Sequence, residues 1–247
     1  MAALQPMPPL AISQPELKAW GDIWLGVQGS VRVDGVTRVK RPNRFDRKQS
    51  MDFGLTFDRA FGRAVAIMLG NIEMRIEHNE RLTPAGVDCV EVGKTRIVGG
   101  IRPQNFDMAY RPDGPRIVFD SKTLNDSKSI SKNWQNMIND LASEAATVHT
   151  RFPYCVVAFI VALPRPALAA SQQRDLVRTL QRLGSRKDEL DQHHLAEAIS
   201  LAVWDPDTGL IDHDILLADS NLRIDTMHER IYPHYIDRYQ NLPPHDV

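Results

Sequence analysis

The spacing of apolar residues along the chain predicts helices in four places. Apolar side chains recur every three or four residues over 14–27, 56–81, 129–149 and 171–183. In the longest of these segments, one apolar stripe is formed by Phe57, Phe61, Val65, Met68, Ile72 and Ile76. Ser13 precedes the first segment and is a suitable N-cap, because its hydroxyl can accept a hydrogen bond from the first turn of a helix.

Short apolar runs between turn residues predict strands. Three such runs follow the second helix, at 95–98, 105–110 and 116–123. After the third helix comes CVVAFIVAL, 155–163, whose continuous apolar character is typical of a strand that is covered on both faces. The third helix is long enough to return the chain for a parallel, right-handed crossover. The fourth helix and a strand at 197–205 complete a predicted α/β fold.

This order of elements predicts a central unit with two additions. We expect an N-terminal arm, helix and basic loop at 1–50, a core at 51–210 and a C-terminal extension at 211–247. The Pro-rich start is predicted to be a loose arm as far as Ser13. The extension is rich in tyrosine, histidine and proline, and the sequence leaves its conformation open.

Composition places the chain among ordinary globular proteins. It has 247 residues, of which 43% are hydrophobic and 25% charged, and a net charge of −1, so any nucleic-acid surface must be a local patch. Cys89 and Cys155 lie in apolar surroundings without a CxxC partner, which indicates buried thiols and a reducing compartment. The longest apolar run is too short to span a bilayer, and the start lacks the basic region of a signal peptide. We therefore expect a cytoplasmic protein with no membrane partner.

The segment 37–48 is a candidate DNA-binding arm. It carries six basic residues against one aspartate and has no helical apolar stripe, so it is predicted to be a basic loop. Such a loop could contact the phosphates of double-stranded DNA, although a run of charges is also typical of a plain solvated surface. The basic residues are Arg38, Lys40, Arg41, Arg44, Arg47 and Lys48.

Charged residues interrupt two of the predicted strands, in the stretch NFDMAYRPDGPRIVFDSKTL. Asp107 lies in the first strand, and Asp120 and Lys122 lie in the second. If the connection between these strands has its midpoint after Asp113, Asp107 and Asp120 face each other with their β-carbons about 5 Å apart. Side chains alternate along a strand, so Lys122 is expected on the same face as Asp120.

Two adjacent carboxylates repel each other unless a positive charge lies between them. Mg²⁺ suits such a site because it binds through one or two carboxylates, waters and substrate phosphate. Lys122 could orient or deprotonate a water, or stabilise charge on a phosphate, and this equipment suits hydrolysis of a phosphodiester. The alternative is a surface hairpin with one wet face, but Val118 shares the face of Asp120 and Lys122 and favours a covered sheet.

The residues Asp107 and then Asp120-Ser121-Lys122, within this order of elements, resemble the PD-(D/E)xK nuclease superfamily. Type II restriction endonucleases are its best-known members, and the resemblance covers roughly 56–163. It implies a restriction-endonuclease-like core: a helix, three strands of antiparallel type, a crossover helix and a buried strand. It further implies that Asp107 and Asp120 bind Mg²⁺, that Lys122 assists the attacking water, and that a homodimer cuts double-stranded DNA. A repair, recombination or phage nuclease and a non-catalytic DNA-binding protein are the alternatives.

Several site residues have rivals in the sequence. Asp113 directly follows Pro112 and so matches the Pro-Asp of the family motif, which makes it an alternative to Asp107 as the first acid. Pro-Asp-Gly is, however, also an ordinary turn sequence. Relatives often carry a glutamate on the helix before the strands, for which Glu73 is the first candidate, ahead of Glu77 and Glu80. The helix after the motif often supplies polar side chains near the phosphate, and the candidates there are Lys128 and Lys132.

Overall fold

A computed structural model describes residues 3–26, 31–33, 36–38, 42–165 and 168–245, with backbone only for 31–33 and 36–38. The helices in this part of the chain are α1 (Gln14–Leu25), α2 (Arg47–Met68), α3 (Ile130–His149), α4 (Ala170–Leu183) and α5 (His228–Tyr239). The strands are β1 (Val31–Val33), β2 (Val36–Arg38), β3 (Glu73–Ile76), β4 (Cys89–Val98), β5 (Pro103–Tyr110), β6 (Ile117–Thr123), β7 (Val156–Pro164) and β8 (Ala198–Trp204).

Six of these strands form one mixed sheet in the order β3-β4-β5-β6-β7-β8. Strands β4, β5 and β6 are antiparallel neighbours, whereas β7 is parallel to β6 and β8 is parallel to β7. The predicted α/β class, the antiparallel strands and the parallel crossover through α3 are therefore confirmed. Strands β1 and β2 form a separate antiparallel pair.

Helices cover both faces of the sheet. Apolar residues of α1, α2 and α5 pack on one face, and those of α3 and α4 pack on the other. On the α2 face, the rings of Phe61 and Phe119 stack with their centroids 4.1 Å apart. Phe119 directly precedes Asp120, so this contact fixes α2 against β6 beside the charged residues of that strand.

The predicted long helix is wrong at both ends. It begins at Arg47 rather than near Thr56, because Asp46 caps it through a reciprocal capping box with Gln49. It ends at Met68, and the chain then turns through Gly70 and Asn71, whose φ angles are 89° and 61°. Residues Glu73–Ile76 form the edge strand β3, parallel to β4. Arg47 and Lys48 consequently belong to a helix and not to a loop.

The two additions pack with the core sheet. The start of the chain is not a loose arm: the Met7 side chain is buried, and the Gln5 N–H donates to the Met68 carbonyl oxygen at 2.8 Å. The C-terminal extension contributes α5 to the α2 face of the sheet. Cys89 and Cys155 are buried thiols, as expected. Within the described residues, all helices are too short or too polar to cross a membrane.

Candidate active site

The predicted register of the β5–β6 hairpin is confirmed. Met108 pairs with Phe119, and Tyr110 pairs with Ile117, which makes Asp107 and Asp120 the next opposed positions. The regular backbone pairing ends at Met108–Phe119. Beyond it, the Asp107 Oδ2 accepts a hydrogen bond from the Ser121 N–H at 3.1 Å and one from the Ser121 hydroxyl at 3.3 Å. The first acid is therefore hydrogen-bonded to the strand that carries the second.

A β-bulge lies on the other side of Asp107. Between the pairs Val92–Met108 and Thr95–Phe106, strand β4 has two residues, Gly93 and Lys94, where β5 has only Asp107. Gly93 has a φ of 114°, and a Cβ added there would lie 2.7 Å from the Glu77 carbonyl oxygen. Only glycine fits this position, and the bulge bends β4 where Asp107 leaves the regular ladder.

Lys122 lies between two carboxylates. Its Nζ contacts Asp120 Oδ2 and donates to Glu144 Oε1 at 2.8 Å. Asp120 is only 5% exposed, so the alternative of a wet surface hairpin is wrong for this residue. The expected neighbourhood of Asp120 and Lys122 on one face is confirmed.

Two further acids, which sequence reasoning missed, join this group. Asp58 of α2 is buried, and its Oδ1 has no hydrogen-bond partner among the described residues. Glu144 of α3 is also buried; its Oε1 accepts from Gln104 at 3.0 Å as well as from Lys122. The signal was an acid on an apolar stripe: Glu144 follows Leu141 by three positions, and Asp58 precedes Phe61 by three.

Burial and mutual repulsion shift the pKa values of these carboxyls upward. Burial raises the pKa of Asp120 to about 6, even though Lys122 opposes the shift. Burial also raises the pKa of Asp107 well above its usual range, and the charge of Asp120 adds to this. For Asp58 the causes of a raised pKa are burial and then the charge of Asp107. Burial therefore disfavours the charged forms of Asp58, Asp107 and Asp120 unless a positive charge lies close to them.

The carboxyls of this group are the residues that could hold a small divalent cation. No set of three or more His, Cys, Asp or Glu side chains in the described residues is arranged to hold a metal ion together. Mg²⁺ can bind with fewer protein ligands, because one or two carboxylates together with waters and phosphate are sufficient. The Asp107–Asp120 pair meets this requirement, and the unpartnered Asp58 Oδ1 adds an acceptor nearby.

Asp58, Asp107, Asp120 and Lys122 line a groove of about 700 Å³. Its walls are the first half of α2 and the first half of α3, and its floor is formed by β5 and β6. The polar side chains that line it include Ser50, Asn105, Asn133, Asn136 and Asp140. A ligand bound in this groove would contact the Asp107–Asp120 pair from the side that the groove exposes.

The residues predicted to contact DNA differ in their positions and in their ion pairs. Arg47 lines the groove. Arg44 lies 3.9 Å from Asp126 in an ion pair, and Lys48 pairs with Asp52. The exposed lysines at the start of α3 are Lys128 and Lys132. For Arg38 only the backbone in β2 is described, and Lys40 and Arg41 lie outside the described residues.

Hydrogen bonds tie the base of the basic segment to the loop after β6. The Asn43 N–H donates to the Trp24 carbonyl oxygen at 2.8 Å, and the Ser127 N–H donates to the Asn43 carbonyl oxygen at 3.1 Å. The Trp24 indole N–H also donates to the Asn125 carbonyl oxygen at 2.7 Å. Trp24 and Asn43, on either side of the basic segment, therefore lie next to the loop that links Lys122 to α3.

The structure does not bring Glu73 or Asp113 to the site. Glu73 is exposed on β3, three places from β6 in the sheet, and pairs with Arg75 at 2.9 Å, because the helix that was to carry it ends at Met68. Glu77 and Glu80 are exposed in the segment that follows. Asp113 lies in the hairpin turn, where both its oxygens accept from Arg116, at 2.8 and 2.6 Å.

We expect the Asp107–Asp120 pair to make the protein less stable as the pH rises in the absence of divalent cations. Both carboxyls have folded-state pKa values above those of an unfolded chain, so folding favours their protonated forms. This stabilisation is lost as the pH rises through about 6, the pKa of Asp120. Thermal melting of wild type and Asp107→Asn in a chelator tests the sign: the advantage of the variant should grow as pH rises from about 4 to 8. An advantage that does not change with pH would show that folding does not oppose the ionisation of Asp107.

Comparison with known proteins adds no relative. No family model, curated protein or solved structure matches the chain. The resemblance to the PD-(D/E)xK nucleases therefore depends on the residues of this site and on the order of the elements that carry them.

Proposed function

We propose that this protein is a Mg²⁺-dependent endodeoxyribonuclease with a restriction-endonuclease-like core, which cuts double-stranded DNA at a specific sequence as a type II restriction enzyme does. The observation that carries the proposal is the meeting of Asp107, Asp120 and Lys122 in one groove. Asp107 and Asp120 come from adjacent antiparallel strands, and the helix before the sheet adds Asp58 beside them.

The side chains of the group have distinct roles in this proposal. Asp107 and Asp120 hold the cation, and Asp58 contributes further negative charge and an acceptor for water. Mg²⁺, when bound there, would act as a Lewis acid and stabilise the charge that develops on the phosphate. The Lys122 ammonium lies against Asp120 and stabilises the same charge from the protein side. Ser121 holds Asp107 in place through its N–H and hydroxyl.

Basic residues around the groove provide the contacts to the DNA backbone. Arg47 lines the groove, Lys128 and Lys132 lie at the start of its α3 wall, and Arg44 belongs to the segment anchored beside that wall. These contacts would be independent of sequence, because they reach phosphates and not base edges. Cutting both strands of a palindromic site favours two-fold symmetry, so we propose that the protein acts as a homodimer.

Digestion of supercoiled plasmid tests the function. We expect nicked and then linear plasmid in Mg²⁺, no cleavage in chelator or Ca²⁺, and discrete fragments from a longer DNA. A smear in place of discrete bands would favour a repair, recombination or phage nuclease of the same fold. Tight DNA binding with no cleavage in Mg²⁺ or Mn²⁺ would contradict the proposal and indicate a non-catalytic DNA-binding protein.

Charge removal in the basic segment 37–48 should weaken DNA binding equally for all sequences. For the triple variant Arg41→Gln, Arg44→Gln and Arg47→Gln, we expect the slope of log K against log salt to fall by about 0.9 for each phosphate that the protein no longer neutralises. Fluorescence anisotropy of labelled duplexes over a range of salt concentrations measures this slope. The matched control removes three exposed arginines of α4, none of which lines the groove: Arg174, Arg178 and Arg182. An equal fall in both triple variants would contradict a specific role of Arg41, Arg44 and Arg47.

A further inference from the structure

We propose that Glu144 is a positioning residue for Lys122, which lets a divalent cation and the lysine ammonium share this site. Glu144 offers the ammonium a second anion, so that the cation can take Asp120 without leaving a buried lysine unpaired. The inference rests on the proposed function and concerns the state of the site before any DNA is bound.

Lys122 and a bound cation would compete for Asp120. Lys122 Nζ contacts Asp120 Oδ2, which is one of the oxygens that a cation held by Asp107 and Asp120 would use. Asp120 is buried and lies beside Asp107, so its carboxylate cannot turn outward to serve both positive charges in water. A cation and an ammonium on the same oxygen repel each other strongly in such surroundings.

Glu144 provides an alternative position for the ammonium. Its Oε1 already accepts from Lys122 Nζ at 2.8 Å, so the ammonium needs only a small shift to move from Asp120 to Glu144. Gln104 donates to the same oxygen at 3.0 Å and holds it in place. The other oxygen, Oε2, is buried and without a hydrogen-bond partner in the described part of the chain, so it can accept the N–H that Lys122 withdraws from Asp120.

Among the described residues, Lys122 pairs with Asp120 and Glu144, so the loss of Glu144 would leave it on Asp120. The Lys122 side chain is only 23% exposed, and a buried ammonium is unfavourable unless it is paired. With Glu144 replaced by a neutral residue, Lys122 would stay on Asp120, and a cation would have to displace it. Cation affinity should then fall, and the fall should depend on the presence of Lys122.

A double-mutant cycle on the full-length protein tests this dependence. Mn²⁺ binding, followed by the electron paramagnetic resonance signal of the free ion, is measured for wild type, Glu144→Gln, Lys122→Met and the double variant. We expect Glu144→Gln to weaken Mn²⁺ binding by about tenfold or more in the wild-type background, but by less than about threefold in the Lys122→Met background. An equal weakening in both backgrounds would show that Glu144 acts only as one more negative charge, and would overturn the inference.

A second variant keeps the test valid if Glu144→Gln does not fold. Gln104→Leu removes the hydrogen bond that holds Glu144 but leaves every charge in place, so it should weaken Mn²⁺ binding a few-fold, again only while Lys122 is present. Unchanged binding in Gln104→Leu would overturn the inference as well. If the wild-type protein binds no Mn²⁺, both this inference and the proposed function are overturned. If Asp107→Asn abolishes Mn²⁺ binding but Glu144→Gln leaves it unchanged, only the inference is overturned.

Discussion

Asp120→Asn is expected to abolish Mg²⁺-dependent cleavage while DNA binding in Ca²⁺ survives. The variant keeps the size of the side chain but removes one of the two charges that hold the cation. Loss of several kcal/mol of charge stabilisation corresponds to a fall in rate of about 1,000-fold or more. Plasmid cleavage measures the loss, and anisotropy of a labelled duplex measures the binding.

Binding should be retained or improved because the variant lowers the negative charge that faces the phosphates. Asp140→Asn is the matched control: Asp140 is an exposed acid of α3 in the same groove, so the same chemical change there should leave cleavage within about threefold of wild type. Cleavage by Asp120→Asn near the wild-type rate would rule out this site as the catalytic centre.

Asp107→Asn and Asp113→Asn should have opposite profiles. Asp107→Asn should lower cleavage by orders of magnitude and raise the melting temperature in chelator, because it removes a carboxyl whose charged form is disfavoured by burial and then by the charge of Asp120. Asp113→Asn should cut normally but melt earlier. Turn chemistry alone would make asparagine as good as aspartate there, but Asp113 makes two hydrogen bonds to the buried Arg116.

The cost of Asp113→Asn is set by the exposure of its carboxylate. Asp113 is 64% exposed, so solvent screening reduces the value of a charged pair to about 1 kcal/mol, or a few degrees of melting temperature in a protein of this size. Cleavage rates and melting temperatures of both variants, with and without Mg²⁺, distinguish the two profiles. A dead Asp113→Asn enzyme with an active Asp107→Asn enzyme would mean that the turn, and not the strand, holds the first acid.

The pairing of Asp107 with Asp120 could be predicted from the sequence because a tight turn fixes the register of its flanking strands. The Pro-Asp-Gly-Pro turn gives the hairpin a defined midpoint, and from there the facing residues follow by counting. The crossover helix and the buried β7 were also predictable, since both depend on local apolar patterns of the right length.

Asp58 and Glu144 could not be predicted in the same way, because their roles depend on contacts between distant elements. Glu144 meets Lys122 only when α3 packs on the sheet, and Asp58 meets Asp107 only when α2 packs on its other face. Each residue interrupts an apolar stripe, which signals a buried acid but does not identify its partner.

Glu73 was misplaced because apolar spacing cannot tell a helix from a turn followed by a strand. Ile72 and Ile76 continue the helical period of the preceding residues by coincidence. The stronger signal was Gly70-Asn71, a pair that suits the positive φ angles at the end of a helix. With that signal given priority, the candidate acid moves back from Glu73 to the part of the helix that contains Asp58.

The bulge opposite Asp107 limits how this sequence can drift over evolution. Deleting one of its two residues would turn the side chains of Thr95–Val98 to the opposite faces of the sheet, and replacing Gly93 would drive a side chain into the backbone at Glu77. Natural relatives that retain Asp107 should therefore retain a glycine and an unchanged spacing here. In an alignment, that glycine would stand out as strongly as the acids, although it takes no part in the chemistry.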